Sequence, residues 1–261
     1  MTAGSVFLAH GSPLSALGGD AHAAALRCFG ESNSGLRAIL VVSAHWQTTG
    51  PLRITAWEHA PLIYDFGGFP EELYRIQYPA PGDPALAARI ADDLRAAGHD
   101  VKLETSRGLD HGAWVPLLLA WPEARIPVVQ LSLPATPPGG LLRVGEALRP
   151  LRREGILVVG SGVIVHNLRR IDIRNKEAPA EPWAAAFDEW VARQIESGDT
   201  AGLLDYRSRG PHATLAVPTP EHFDPIFLTL GAASPGERFE TIFEGFQYGT
   251  LSMRSVGTAA V

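Results

Sequence analysis

The sequence is poor in the features that would place it in several large classes. It holds one cysteine, Cys28, in 261 residues. That excludes an internal disulfide and a cysteine-based zinc module, and it fits a reducing compartment. No block of lysine or arginine is present, and 22 basic against 28 acidic residues leave a formal charge of −6. A nucleic-acid or acidic-membrane surface is therefore not expected. No apolar run approaches the ~18 residues needed to span a bilayer. The first residues, MTAGSVFLAHGSP, lack a basic region, and their apolar stretch is broken at His10, so they do not read as a signal peptide. Together these absences predict a cytoplasmic protein. Also missing are a Walker A sequence, a G-x-G-x-x-G after the first apolar run, H-E-x-x-H, and a full G-x-S-x-G around Gly160-Ser161-Gly162.

What is present is a series of short, continuously apolar runs separated by segments of helical character. Ser5–Ala9, Ala38–Ser43, Ile126–Leu133 and Gly155–Gly160 are rich in Val, Ile and Leu, as strands buried on both faces of a parallel sheet are. Leu52–Trp57 and Val101–Glu104 read as less buried strands. Helices are predicted over Asp20–Phe29, from Asp83-Pro84 to Gly98, and over Trp114–Trp121, Gly140–Arg152, Pro182–Ser197 and Pro220–Leu230. The alternation predicts an α/β fold with a central, mostly parallel sheet flanked by helices. Arg238–Phe243 and Phe246–Arg254, on either side of Glu244-Gly245, predict a C-terminal antiparallel hairpin, whose apolar strands offer a surface for a homo-oligomer. The Pro/Gly-rich pieces at Pro79–Pro84 and Pro134–Gly140 read as loops, so residues 1–261 are expected to form one domain.

The nine histidines carry the functional signal. His10 directly follows the first strand (FLAHGSP), and His45 follows the second (VVSAHW). His166 comes soon after the fourth (VVGSGVIVHN), and His222 stands at a predicted helix start (VPTPEHFDP). The carboxyl ends of strands form the ligand crevice of an open α/β sheet, so His10 and His45 are expected to meet there. Small neighbours (Ala9, Gly11, Ala44) leave room for an ion. A lone histidine at a strand end is commonly only a hydrogen-bonding residue, but four in such settings point to a metal site. Imidazole suits Fe, Zn, Cu or Ni alike. His111 (GLDHGAW) reads either as a helix N-terminal residue or as a hydrogen-bond donor to a pocket. Tyr64 and Asp65, in the aromatic, glycine-rich loop YDFGGFP, are expected at the substrate, with Phe66, Trp46 and Trp114 as further walls. His22, His59, His99 and His212 lack the strand-end setting.

In order, HGSP at His10, SAHW at His45, GLDHGAW at His111, HNL at His166 and PTPEHF at His222 resemble the class III extradiol ring-cleavage dioxygenases, in the DOPA 4,5-dioxygenase-like branch. YDFGGFP and FQYGTLSMRS match the same branch, so the resemblance runs from His10 to Ser255. It implies a metal-dependent enzyme that opens a catechol ring with O2 to a muconic semialdehyde, using non-haem Fe(II), with Zn(II) able to occupy the site as isolated. By position, His10, His45 and His222 would be the metal ligands. His166 would be the acid/base residue or a fourth ligand, and His111 would help to bind the catecholate or oxygen. Better-known members use two histidines and a glutamate, so Glu221, beside His222, competes for the third ligand position. A zinc hydrolase on the same histidines, a chelatase-like tetrapyrrole-handling protein and a non-catalytic binder are the other readings. The partners implied are a small catechol and O2.

Overall fold

The computed structural model describes residues 2–258. Its strands are β1 (Ser5–Ala9), β2 (Ala38–Thr48), β3 (Leu52–Thr55), β4 (Val101–Glu104), β5 (Val128–Pro134), β6 (Ile156–Gly162), β7 (Phe239–Phe243), β8 (Phe246–Gln247), β9 (Leu251–Ser252) and β10 (Ser255–Thr258). Helices α1 (Ala21–Ser32), α2 (Pro84–Ala96), α3 (His111–Ala120), α4 (Pro138–Leu148) and α5 (Pro182–Ser197) follow the apolar runs. Three short turns of helix, α6 (Thr200–Leu204), α7 (Tyr206–Arg209) and α8 (Ala213–Ala216), lead to α9 (Pro225–Ala232). Helix starts are set by local chemistry. Asp20, Asp83 and Asp110 each accept a backbone N–H from the first turn of α1, α2 and α3, satisfying donors that have no partner within the helix.

One eight-stranded sheet runs in the order β4-β3-β5-β2-β6-β1-β10-β7. Its centre, β5-β2-β6-β1, is parallel, while β10 and β7 add antiparallel strands at one side. Alternate residues of the central strands pack on opposite faces. Phe7, Leu40, Val42 and Val158 meet α2, α4, α5 and α9, and Val6, Leu8, Ile39, Val41 and Val159 meet α1 and α3. Both faces are therefore covered, which is why these strands read as unbroken apolar runs.

Two elements differ from the sequence expectation. The C-terminal hairpin is not folded about Glu244-Gly245. β7 instead pairs with β10, and the hairpin proper is β8–β9. The reversal falls in the three-residue connection from Tyr248 to Thr250, where Tyr248 and Gly249 both take positive φ. The helix expected from Pro220 begins only at Pro225. The N–H groups of Phe223 and Asp224 both bond to the Pro220 carbonyl, so residues 220–224 form a separate turn, and His222 stands in that turn.

His22, on α1, is buried with neither ring nitrogen hydrogen-bonded, its ring edge-on to Phe243 at 5.2 Å. Burial pushes its pKa from 6.5 down to about 4. The unfolded chain takes up a proton near pH 6.5 that the folded chain refuses until about pH 4. Stability is therefore full above that window and is lost as pH falls through it. A His22→Leu protein should be less acid-sensitive: thermal melts from about pH 7 to about pH 4.5 should show its Tm gaining on the parent's. Parallel pH curves would exclude this role.

Candidate metal centre

Five histidines gather where the parallel strands end. His10 leaves β1 with its N–H on the Gly162 carbonyl at the end of β6. His45 is re-aimed by a register break: Val42 pairs with Leu131 and Gln47 with Leu133, so β2 bulges between them. Bulges commonly turn a side chain towards a site. His111 is the first residue of α3. The carbonyl of His222 accepts the Val163 N–H, seating its turn against the end of β6. A Cβ at Gly162 would overlap that carbonyl, so this approach requires glycine. His166 lies between β6 and α5, its N–H on the Ala216 carbonyl.

The rings of His10, His45 and His222 stand 5.0–5.4 Å apart, centroid to centroid. One nitrogen from each falls in a set whose members all lie within 4.8 Å of one another. Their hydrogen bonds fix which nitrogen is free. Pro116, inside α3, has no N–H to give the Gly112 carbonyl, and the Ser161 hydroxyl donates to that carbonyl instead. With its hydrogen so committed, Ser161 Oγ accepts from His10 Nδ1 at 3.0 Å. His222 Nδ1 donates to Glu221 Oε1 at 3.2 Å, and His45 Nδ1 faces Asp65 Oδ2 at 3.4 Å. In all three, the Nδ1 side is occupied by an acceptor and the Nε2 lone pair is left over. His10 Nε2 and His45 Nε2 face each other at 3.3 Å, an arrangement of two lone pairs that calls for a cation between them. This donor set fits a divalent metal, and acceptors on the far nitrogen are how ligand histidines are usually held.

The protonation of the cluster agrees. Burial, and then the neighbouring imidazoles, hold His10 and His45 well below the ordinary histidine range. Burial and His222 bring His166 down to about 3. Neutral imidazole is the form that binds metal. Burial raises Asp65, but the ring and backbone donors of His111 outweigh it and hold the carboxyl below its usual range. Glu221, raised by burial, is held at about 2 by His222 and Thr219, so it is an anion beside His222.

His45, Asp65 and His111 form a second group with the same close spacing. There Asp65 Oδ1 already accepts both the ring and the backbone N–H of His111, each at 2.9 Å. Its carboxylate thus orients two histidines and stands behind the cavity lining. Tyr64, expected at the substrate, donates its hydroxyl to the Ile76 carbonyl. Neither Tyr64, Trp46 nor Trp114 lines the cavity, whereas Phe66 does. His166 stacks on His222 at 3.6 Å and 7° between planes. Tyr248 also lines the cavity and was not picked out from the sequence. Its positive φ of 54° marks a strained position for a bulky residue, and the Tyr-Gly pair in FQYGT was the available signal.

The family described as the catalytic LigB subunit of aromatic ring-opening dioxygenase matches residues 7–257. A Beta vulgaris protein named 4,5-DOPA dioxygenase extradiol is 42% identical over 84% of this chain and 81% of its own length. An Escherichia coli K12 protein of the same name is 40% identical over 96% and 93%. The crystal structure of an uncharacterized Escherichia coli K12 protein superposes with a TM-score of 0.84 at 36% identity, covering 98% of this chain and 100% of that one. Among the described residues, no helix is long and apolar enough to cross a membrane. The chain belongs to the class III extradiol ring-cleavage dioxygenases, the family of LigB catalytic subunits.

Proposed function

We propose that His10, His45 and His222 hold the metal of a catechol extradiol dioxygenase and that His166 is its acid/base residue. The observation that carries this reading is the convergence of Nε2 lone pairs whose Nδ1 partners are all acceptors. Fe(II) in that position would supply the electron transfer between catecholate and O2, which redox-inert Zn(II) on the same ligands would not. The chain's own residues do the rest. The histidine-lined floor orients the two catechol oxygens, and His166, neutral at physiological pH, accepts a hydroxyl proton. Burial opposes that protonation, and the catecholate charge left beside His166 offsets the penalty. His166 stacks on His222 and lies outside the close three-nitrogen set of His10, His45 and His222, which supports a base in preference to a fourth ligand. His111, its Nδ1 held by Asp65, has its other ring nitrogen available to the substrate.

DOPA, named in the relatives, is one catechol to try. Residues 1–261 act on this reading as one catalytic domain, and the lone Cys28, free and exposed, suits a reducing cytoplasm. Metal-free protein should be loaded anaerobically with Fe(II) or Zn(II), mixed with catechols and then exposed to oxygen. Fe(II) protein should consume oxygen in step with a yellow semialdehyde, and Zn(II) protein should not. No uptake with any catechol would overturn the reading. His166→Ala should retain metal and lose roughly 10²–10⁴ in kcat, and full turnover by that variant would remove His166 from the mechanism.

A further inference from the structure

The histidines open onto a cavity of about 600 Å3, within the range of roughly 300–1,000 Å3 that accommodates a drug-sized ligand and more than a bare catechol ring needs. The character of its walls is uneven. Histidines form the floor. Above them the walls are built from side chains such as Leu14, Phe66, Phe69 and Leu251, and among the described residues no Asp, Glu, Lys or Arg lines the space. Two further lining residues, Leu168 and Ile173, are 57% and 76% exposed and belong to the few large hydrophobic side chains left open to solvent.

This apolar rim is a built surface. It lies on the segment between β6 and α5, which is tied down at three points. Asn167 donates to the Leu215 carbonyl, Asp172 N–H bonds to the Tyr248 carbonyl, and Tyr248 N–H bonds to the Lys176 carbonyl. Held apolar side chains at the mouth of a site mark a surface meant to be covered by a ligand. Arg169, Arg170 and Arg174 stand on the same segment, but they are exposed and do not line the cavity.

Resting on the ring-cleavage reading above, we propose that this site selects catechols carrying an uncharged, apolar substituent, which lies along the wall from Phe66 and Phe69 to Leu168 and Ile173. A substituent with an ammonium or carboxylate group, as in an amino-acid catechol, finds no counter-charge along that path and must be desolvated without a partner. An apolar chain gains with every methylene it buries.

The test is a substrate series on Fe(II)-loaded protein: catechol, 4-methyl-, 4-ethyl- and 4-propylcatechol, 3,4-dihydroxyphenylacetate and DOPA. The kcat/KM is expected to rise roughly fourfold per methylene along the alkyl series, and 4-propylcatechol should exceed DOPA and the acetate by about tenfold or more. Anaerobic calorimetric titration of the same ligands should give the same order in Kd. DOPA or the acetate equalling the propyl compound in both measurements would overturn the selectivity while leaving ring cleavage standing. Absence of turnover with every catechol would sink the ring-cleavage reading, and the titration would then decide the selectivity alone. In a Leu168→Lys/Ile173→Lys double variant the propyl-to-methyl ratio should collapse towards one. An unchanged ratio would remove the rim from the proposal.

Discussion

His222→Ala should yield a folded protein that does not hold its metal. Content measured after anaerobic loading should fall below about a tenth of the parent's, and ring opening should drop by roughly a thousandfold, the several kcal/mol that a metal contributes to such a transition state. Folding is expected to survive, because the bond that seats this turn on β6 is made by the His222 backbone carbonyl. Glu221→Gln should behave differently. The glutamine oxygen can still accept from His222 Nδ1, so the ligand stays oriented. Loss of the anion that Glu221 is at neutral pH should weaken metal affinity by about 10–100-fold, as removal of outer partners does. This pair of variants decides between the histidine and the glutamate as third ligand. Metal retained in His222→Ala but lost in Glu221→Gln would reverse the assignment.

Asp110→Ala should be the most damaging single change to stability that leaves every proposed ligand in place. Asp110 is fully buried and accepts from the Ser43 hydroxyl at 2.6 Å, the Gln130 amide at 2.6 Å, the Ala113 N–H at 3.1 Å and the Arg107 guanidinium at 3.3 Å. It thereby ties together the bulge of β2, strand β5 and the start of α3, and so sets His45 against His111. Arg107 adds a bond to the His45 carbonyl at 3.1 Å and lies over the Trp46 ring at 5.0 Å. Removing the carboxylate strands a cation and three donors, an expected loss of about 3–5 kcal/mol and a Tm lower by roughly 10 °C. A melting curve within a degree or two of the parent's would show that the network rearranges without cost.

These two cases mark what could and could not be read from the sequence. His10 and His45 were legible because an apolar run ends just before each, although His45 lies inside β2, which continues to Thr48, and reaches the crevice through the bulge and not at a strand end. The sheet itself was legible because strands buried on both sides have no polar alternation to obscure them. The roles of Asp65 and Ser161 were not. A carboxylate in an aromatic loop looks like a substrate contact until the fold brings His45 and His111 to it. A serine between two glycines looks like a failed nucleophile loop until α3 presents a carbonyl that Pro116 has left free. Both depend on pairings between distant segments that no local pattern encodes. Tyr248 escaped for a different reason, since its left-handed backbone runs against the ordinary preference of its side chain.

The place of β1 in the sheet bears on how the protein comes to fold. β1 lies between β6 and β10, in register with Val158 on one side and Gly257 on the other, so the first strand made has no neighbour until β6 (Ile156–Gly162) exists, and its second neighbour is the last strand of all. Such long-range closure is slow, and an apolar strand waiting for it is exposed to aggregation. His10 directly follows that strand and His222 stands on a late turn seated against β6, so the three-histidine cluster closes only when β1 and the 220–224 turn have both docked beside β6. A stably bound ion would therefore report that β2, β6 and β1 have come together at the centre of the sheet, and it would draw the folding equilibrium towards that state.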